Sequence, residues 1–185
     1  MEAVEFYIMN GKTCFMGKDG VGRQLTPQNR DEITFMLENI GKVFPDAMKA
    51  LKEWAKDSER NRVWFEFRIV DRFVRCNFGD DEFLHTDVDD MGMFHLEEVK
   101  CPLRGSGYCK HENVVCKPKA SLGLSEEESK VVGLYAQGMR PGEIAARLGK
   151  AEQTCKQQIN HAYKRLKLPH PRWLIKLFNA YSITM

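Results

Sequence analysis

From Thr154 to Leu166 the chain sets Lys156, Gln157, Asn160, Lys164 and Arg165 among Cys155, Ile159, Ala162, Tyr163 and Leu166. The apolar set recurs at helical spacing, so a helix here turns it inward and leaves the amides and cations facing out. Those outward types suit duplex DNA. Lys and Arg neutralise phosphates or reach guanine acceptors, and Gln and Asn pair bidentately with adenine. After Glu152 nothing outward-facing in the segment is acidic.

Six cysteines form the second chemically capable group. The chain opens on no charged-then-apolar leader, so a cytoplasmic, reducing setting is expected, where thiols favour metal or redox chemistry over disulfides. Cys14 and Cys155 occupy apolar-facing slots and read as small buried hydrophobes. Cys101, Cys109 and Cys116 share a Gly- and Pro-containing stretch with little apolar content to fold it. With Cys76 they supply four thiolates, a set that satisfies tetrahedral zinc at about 2.3 Å per bond. A strand carrying Cys76 is expected to bring it to this loop. The spacing is looser than the paired Cys-x-x-Cys of a zinc ribbon. His111, His95 and His85 compete as ligands, and an iron–sulfur cluster or four reduced thiols in a packed loop are the other readings.

The elements that must position the outward residues start at Ser125. Glu128 follows it by three residues, the spacing at which hydroxyl and carboxylate cap each other's backbone amides. Val131, Val132, Leu134 and Tyr135 continue at helical spacing, and Gly138 stands where a left-handed cap ends the helix near Gln137. Pro141 suits the first turn of the next helix, whose buried face is Ile144, Ala145 and Leu148 before Gly149 breaks it. The segment from Leu124 to Arg172 therefore reads as a helix-turn-helix. A fourth helix from Pro171 through Trp173, Leu174, Leu177 and Tyr181 is apolar enough to be either a dimer face or part of the core.

Residues 124 to about 180 resemble the C-terminal DNA-binding domain of LuxR/GerE-type regulators, a four-helix helix-turn-helix. The resemblance rests on Leu124, Ser125, Glu128, Gly138, Glu143, Ile144, Ala145, Leu148, Thr154, Lys156, Leu166, and Arg165 in place of a lysine. Departures are Glu127 for the family's Arg, Ala151 for the Ser that caps the recognition helix, Cys155 for Val and Gln158 for His. The resemblance implies a base-reading face of Lys156, Gln157 and Asn160, with Thr154 and Lys164 on phosphates; the outward-facing Arg165 is expected among the DNA contacts by its type. The resemblance also implies double-stranded DNA as the partner, bound as a homodimer on two half-sites. Region 4 of sigma factors has the same architecture; a sigma factor also needs an upstream helical region that binds RNA polymerase and promoter, which this sequence does not display.

Composition places these groups in two modules. From Lys119 onward there are 11 Lys and Arg against 5 Asp and Glu, and residues 1–118 hold 17 against 21. A basic module thus follows an acidic one. The expected fold class is α+β: residues 1–118 form a small sheet with helices and the cysteine-rich loop, and residues 119–185 form the all-α helix-turn-helix domain. Val4, Phe6 and Ile8, a turn at Asn10-Gly11, and Cys14-Phe15 read as a hairpin. A helix from about Pro27 ends at Gly41, and Pro45 opens another with Met48, Leu51, Trp54 and Ala55 on one face. Val63 to Phe78, with Phe65, Phe67 and Ile69 in alternation, reads as a strand or a pair turning near Asp71.

Asp80, Asp81, Glu82, Asp87, Asp89 and Asp90 make an acidic stretch that only faintly matches a calcium loop and reads as a solvated one. No nucleophile elbow, phosphate-binding Gly loop or His-Glu-x-x-His motif is present, so an enzyme is not expected. No apolar run reaches the roughly 18 residues of a membrane span. The leading expectation is a bacterial or phage DNA-binding regulator with a metal-stapled sensor or interaction domain. Its rival is an interaction protein that docks on polymerase or another partner through a helix-turn-helix scaffold.

Overall fold

A computed structural model describes residues 3–79, 86–90 and 92–181. It divides the chain into two compact units, Met1–Lys119 and Ala120–Met185. In the first, β1 (Glu5–Met9) and β2 (Lys12–Met16) pair antiparallel with Phe6 opposite Phe15 and Ile8 opposite Thr13. Asn10 and Gly11 both take positive φ, 51° and 73°, the geometry of a type I′ turn, whose twist matches that of the flanking strands. A third strand, β3 (Gly22–Gln24), pairs with β2 in the order β1-β2-β3. All three of its residues are exposed, so no hydrophobic pattern marks it in the sequence. Beyond the other edge, Val88 bridges to Val4 and Phe94.

Helix α1 (Arg30–Val43) runs two residues past the Gly41 at which it was expected to end. Burial explains the extension: Ile40 and Val43 both face the core, and Gly41 leaves ordinary contact room for the Met48 side chain. Pro45 then opens α2 (Pro45–Trp54), which buries Ala47, Met48 and Leu51.

The segment expected as a strand is a helix, α3 (Arg62–Asn77). Its buried residues Ile69, Val70, Phe73, Val74 and Asn77 follow helical spacing, and the Asn61 side chain caps its start by accepting from the Trp64 amide at 3.2 Å. The alternation of Phe65, Phe67 and Ile69 is incidental, since only Ile69 of the three is fully buried. Ion pairs four residues apart, Arg62–Glu66 and Arg75–Asp71, favour the helix over the β preference of its aromatic and branched residues. Asp71, read from sequence as a turn, lies within α3 and accepts from the Thr13 hydroxyl at 2.6 Å. Arg75 donates onward to the Gly11 carbonyl at 2.9 Å, so the hairpin is held against α3 by polar groups as well as by apolar packing.

Phe73 is the hub of this core. It is fully buried, with ring centroids 5.8 Å from Phe44, 6.1 Å from Phe78 and 5.6 Å from Phe94. Phe78 in turn stacks on Phe6 of β1 at 5.9 Å. The sheet, α1/α2, α3 and the 86–95 segment therefore share one aromatic cluster.

The second unit consists of α4 (Glu126–Ala136), α5 (Pro141–Leu148), α6 (Glu152–Arg165) and α7 (Arg172–Ala180). Val131, Val132, Leu134, Ile144, Cys155, Ile159, Ala162 and Leu166 form its core with Leu174, Leu177 and Phe178 of α7. Of the two roles the sequence left open for α7, the structure gives it the core one: its apolar face is spent inside the unit. No helix among the described residues is long and apolar enough to cross a membrane.

Replacing Phe73 with Ala removes the shared ring, and a loss of about 3–5 kcal/mol in the first unit is expected. Chemical denaturation followed by the fluorescence of Trp54 and Trp64 measures it. A loss below about 1 kcal/mol would show that the cluster is not the centre of this core.

Candidate nucleic-acid interface

The helix-turn-helix is assembled from caps written into the sequence. Glu128 donates its amide to the Ser125 hydroxyl at 3.2 Å while its carboxylate accepts from the Ser125 amide at 2.9 Å, the reciprocal box that starts α4. The Glu143 carboxylate accepts from the Arg140 amide at 2.7 Å at the start of α5. Gly149 closes α5 with φ of 63°, and the Lys150 amide reaches back to the Ala145 carbonyl at 3.0 Å. Ala151, the residue before α6, offers no side-chain cap, so the first amides of that helix have no such partner within the unit.

The far end of α6 is clamped. Arg165 makes two bonds to the Glu128 carboxylate, at 2.8 and 2.9 Å, and a third to the Gly123 carbonyl at 3.2 Å. Sequence reasoning placed Arg165 among the DNA contacts; the structure engages it in joining the end of α6 to the start of α4. The Glu128 carboxyl is held below the usual carboxylate range, first by the Ser125 amide and then by Arg165. Glu127 pairs with Lys150 at 2.6 Å and with Lys130 at 3.0 Å, and its carboxyl is likewise lowered.

Along α6, Cys155, Ile159 and Ala162 are buried, and Thr154, Lys156, Gln157, Asn160 and Lys164 are all exposed. Gln153 and His161, which the sequence reading passed over, are exposed on the same stripe. Residues 153, 157, 160, 161 and 164 follow the spacing of one helix face, the signal that finds them. Lys156 pairs with Glu152 at 2.7 Å, whereas the side chains of Gln157, Asn160 and Lys164 make no hydrogen bond or ion pair among the described residues. The five acidic residues of this unit all lie in the first turns of α4, α5 and α6, where they complement helix dipoles and leave the middle of α6 uncharged or positive.

Residues 119–166 match the family model for sigma-70, region 4. The match gives this unit the fold of a DNA-binding helix-turn-helix. The match begins at the boundary between the two units and ends at the close of α6, so it does not extend to the N-terminal unit. It falls on the sigma-type alternative considered from the sequence and does not show the narrower LuxR/GerE assignment. No curated protein and no solved structure matches the chain.

The end of α3 and the loop that follows carry four of the six thiols, Cys76, Cys101, Cys109 and Cys116. Cys76 lies in the last turn of α3 and not on a strand. Asn77, 1 % exposed, donates from its amide nitrogen to the Val115 carbonyl at 2.9 Å, and its oxygen accepts from the Lys117 amide at 3.2 Å. The backbone on both sides of Cys116 is thereby fastened next to Cys76. The charges of Cys116, Cys101 and Cys109 all act on the Cys76 thiol, which burial pushes up to about 11. Of the competing ligands, His95 sits 3.9 Å from Asp89, His111 is half-buried within the loop, and His85 lies outside the described residues.

Among the described residues, the ligand atoms that lie within 4.8 Å of one another are those of Glu5, Asp87 and Glu97; the thiols are not drawn to that spacing. The acidic trio receives backbone amides: Asp87 accepts from Phe6 at 2.6 Å, Glu5 from Asp87 at 3.2 Å and Glu97 from Gly79 at 2.7 Å. In the acidic stretch, Asp89 accepts from the Met93 amide, and Asp90 accepts from the Ala3 amide and pairs with Lys18, the pattern of a turn. Asp80, Asp81 and Glu82 lie outside the described residues.

Two outcomes test the clamp and the missing cap. Glu128→Gln keeps a side chain that serves the capping box but removes the charge facing Arg165, and a loss of about 1 kcal/mol at neutral pH is expected for this partly exposed pair. Because the carboxyl is lowered in the folded state, its contribution is full above the ordinary glutamate pKa of about 4.3 and disappears as pH falls through the lowered value. The variant should therefore show a shallower acid limb in thermal unfolding; an unchanged limb would remove Glu128 from the clamp. Ala151→Ser should raise the stability of the second unit by about 1 kcal/mol in the same measurement.

Proposed function

We propose that the chain is a sequence-specific DNA-binding transcription regulator, with α6 as the helix that enters the major groove. The observation that carries this reading is the outer face of α6: amides and cations without internal partners at its centre, backed by a buried seam that fixes which side faces out. Gln157 and Asn160 are the base-reading amides, and Lys156 joins them by exchanging Glu152 for a guanine edge or a phosphate. Thr154 and Lys164 hold phosphates on either side. Arg165 supports this face indirectly by holding the end of α6. The open N-terminal amides of α6 are donors suited to a phosphate oxygen, and DNA then supplies the cap that Ala151 does not.

The match of residues 119–166 to sigma-70 region 4 favours a second partner, RNA polymerase, contacted while the same unit holds DNA. A LuxR/GerE-type regulator working as a homodimer is the narrower form of the same proposal. It requires a dimer surface other than the face of α7 that is buried inside the unit.

Binding to random and selected duplexes across a salt series tests the proposal. Asn160→Ala should narrow the gap between selected and random DNA by about 1–3 kcal/mol. Lys164→Ala should weaken both alike and flatten the slope of log K against log salt by about one unit. Equal losses on both kinds of DNA from both variants would show a helix that grips the backbone without reading bases. No affinity at low salt would leave the protein-docking reading in its place.

A further inference from the structure

Residues 95–125 contain no helix or strand, yet the 97–117 loop is folded back on itself. The Glu97 amide donates to the Asn77 carbonyl at 2.9 Å, and Asn77 also holds Val115 and Lys117, so both ends of the loop are tied to the end of α3. Within it, the Arg104 amide turns back to the Cys101 carbonyl and the Glu112 amide to the Cys109 carbonyl, at 3.1 and 3.2 Å. The Glu112 carboxylate accepts from the Gly105 amide at 2.7 Å, joining the two turns. From Cys101 to Lys117 only Val115 is buried. Apolar burial therefore supplies almost none of the free energy needed to order these residues, at about 1–2 kcal/mol each for the backbone alone. The hydrogen bonds to Asn77 and between the two turns supply part of it; a cross-link is a further source, and the four thiols are where one would attach.

A second observation concerns charge. The Arg72 guanidinium lies over the Trp54 ring at 5.4 Å and Nη1 of Arg104 is 4.0 Å from the Glu98 carboxylate, but the Nε of Arg72 and the Nε and Nη2 of Arg104 are buried and make no hydrogen bond. Arg72 stands one helical turn before Cys76 and acts on its thiol, and Arg104 lies in the turn that Cys101 begins. Buried guanidinium donors without acceptors are costly unless an anion completes them. Four neutral thiols provide none, whereas a tetrathiolate–zinc centre carries a net charge of −2 with sulfur acceptors.

We infer that Cys76, Cys101, Cys109 and Cys116 bind one zinc ion that fastens the 97–117 loop to the end of α3, with Arg72 and Arg104 donating to its thiolates. Binding is a proton exchange with no redox step. Four thiols release four protons to solvent as four zinc–sulfur bonds form, and the thiols close from their present neighbourhood to tetrahedral spacing. Zinc imposes no preferred geometry of its own beyond four ligands, which suits a site assembled from a helix end and three turns. His111 lies outside the ligand set. This inference stands apart from the DNA reading, because the two sites lie in different units.

The test uses the full chain purified without chelator. About one zinc per chain and no visible chromophore are expected, and cobalt substitution should give the d–d bands of tetrahedral thiolate coordination. Cys109→Ser should lose most of the metal and melt at a lower temperature, while His111→Ala keeps the full complement. Should the serine variant fail to fold, the intact chain still decides. Cys101 is exposed, so only coordination protects it, and it should resist alkylation until chelator is added. Equal alkylation with and without chelator, an iron–sulfur chromophore, metal-free protein after zinc supplementation, or metal loss in His111→Ala would each overturn the assignment.

Discussion

A backbone amide or carbonyl that leaves water must find a partner, and where the chain is neither helix nor strand a side chain has to provide it. In each unit of this protein one polar residue does so for a whole segment. Asn77 does it in the first, bonding both ends of a loop that has almost no apolar content. Glu128 does it in the second, where one carboxylate caps α4 and receives the arginine that closes α6. Remove either group and several backbone and side-chain partners are left open at once, so each cost exceeds that of a single hydrogen bond.

The electrostatic organisation of the second unit follows from the same economy. Its acidic residues sit in first turns, where they complement helix dipoles; Glu128 and Glu143 also satisfy backbone amides, and Lys130, Lys150, Lys156 and Arg165 pair with most of the set. Caps and ion pairs engage the negative charge at helix starts, so a polyanion approaching the middle of α6 meets amides and cations. Folding and partner selection thus use the same carboxylates: those that hold the helices together are withdrawn from the surface DNA would approach.

The first unit reaches order by two different routes. Its sheet, helices and 86–95 segment converge on Phe73 and the rings around it, an ordinary apolar core. The loop beyond Glu97 cannot join that core and relies on hydrogen bonds to Asn77 and, by our inference, on a metal. Cys76 and Asn77 are adjacent at the end of α3, so the core helix delivers the backbone fastening and the inferred thiol one from the same turn.

The helix-turn-helix was legible because its signals are local. Ser125 with Glu128, Gly138, Pro141 and Gly149 each act within a turn or two, and the apolar spacing of α4 to α6 reports a single burial direction. The hairpin was legible for the same reason, through Asn10-Gly11. What the tertiary structure decided were the contests between local preferences. Val63 to Phe78 carries both β-type residues and helix-spaced ion pairs, and packing of Ile69, Val70, Phe73 and Val74 against the other elements settled it as a helix. Strand β3 exists only because β2 offers an edge. The role of Arg165 depended on where Glu128 lies in space, 37 residues away in the chain. The nearness of Cys76 to Cys116 likewise depended on Asn77. Periodicity and capping are properties of neighbours in sequence; partners brought together by folding are not, and only the folded chain names them.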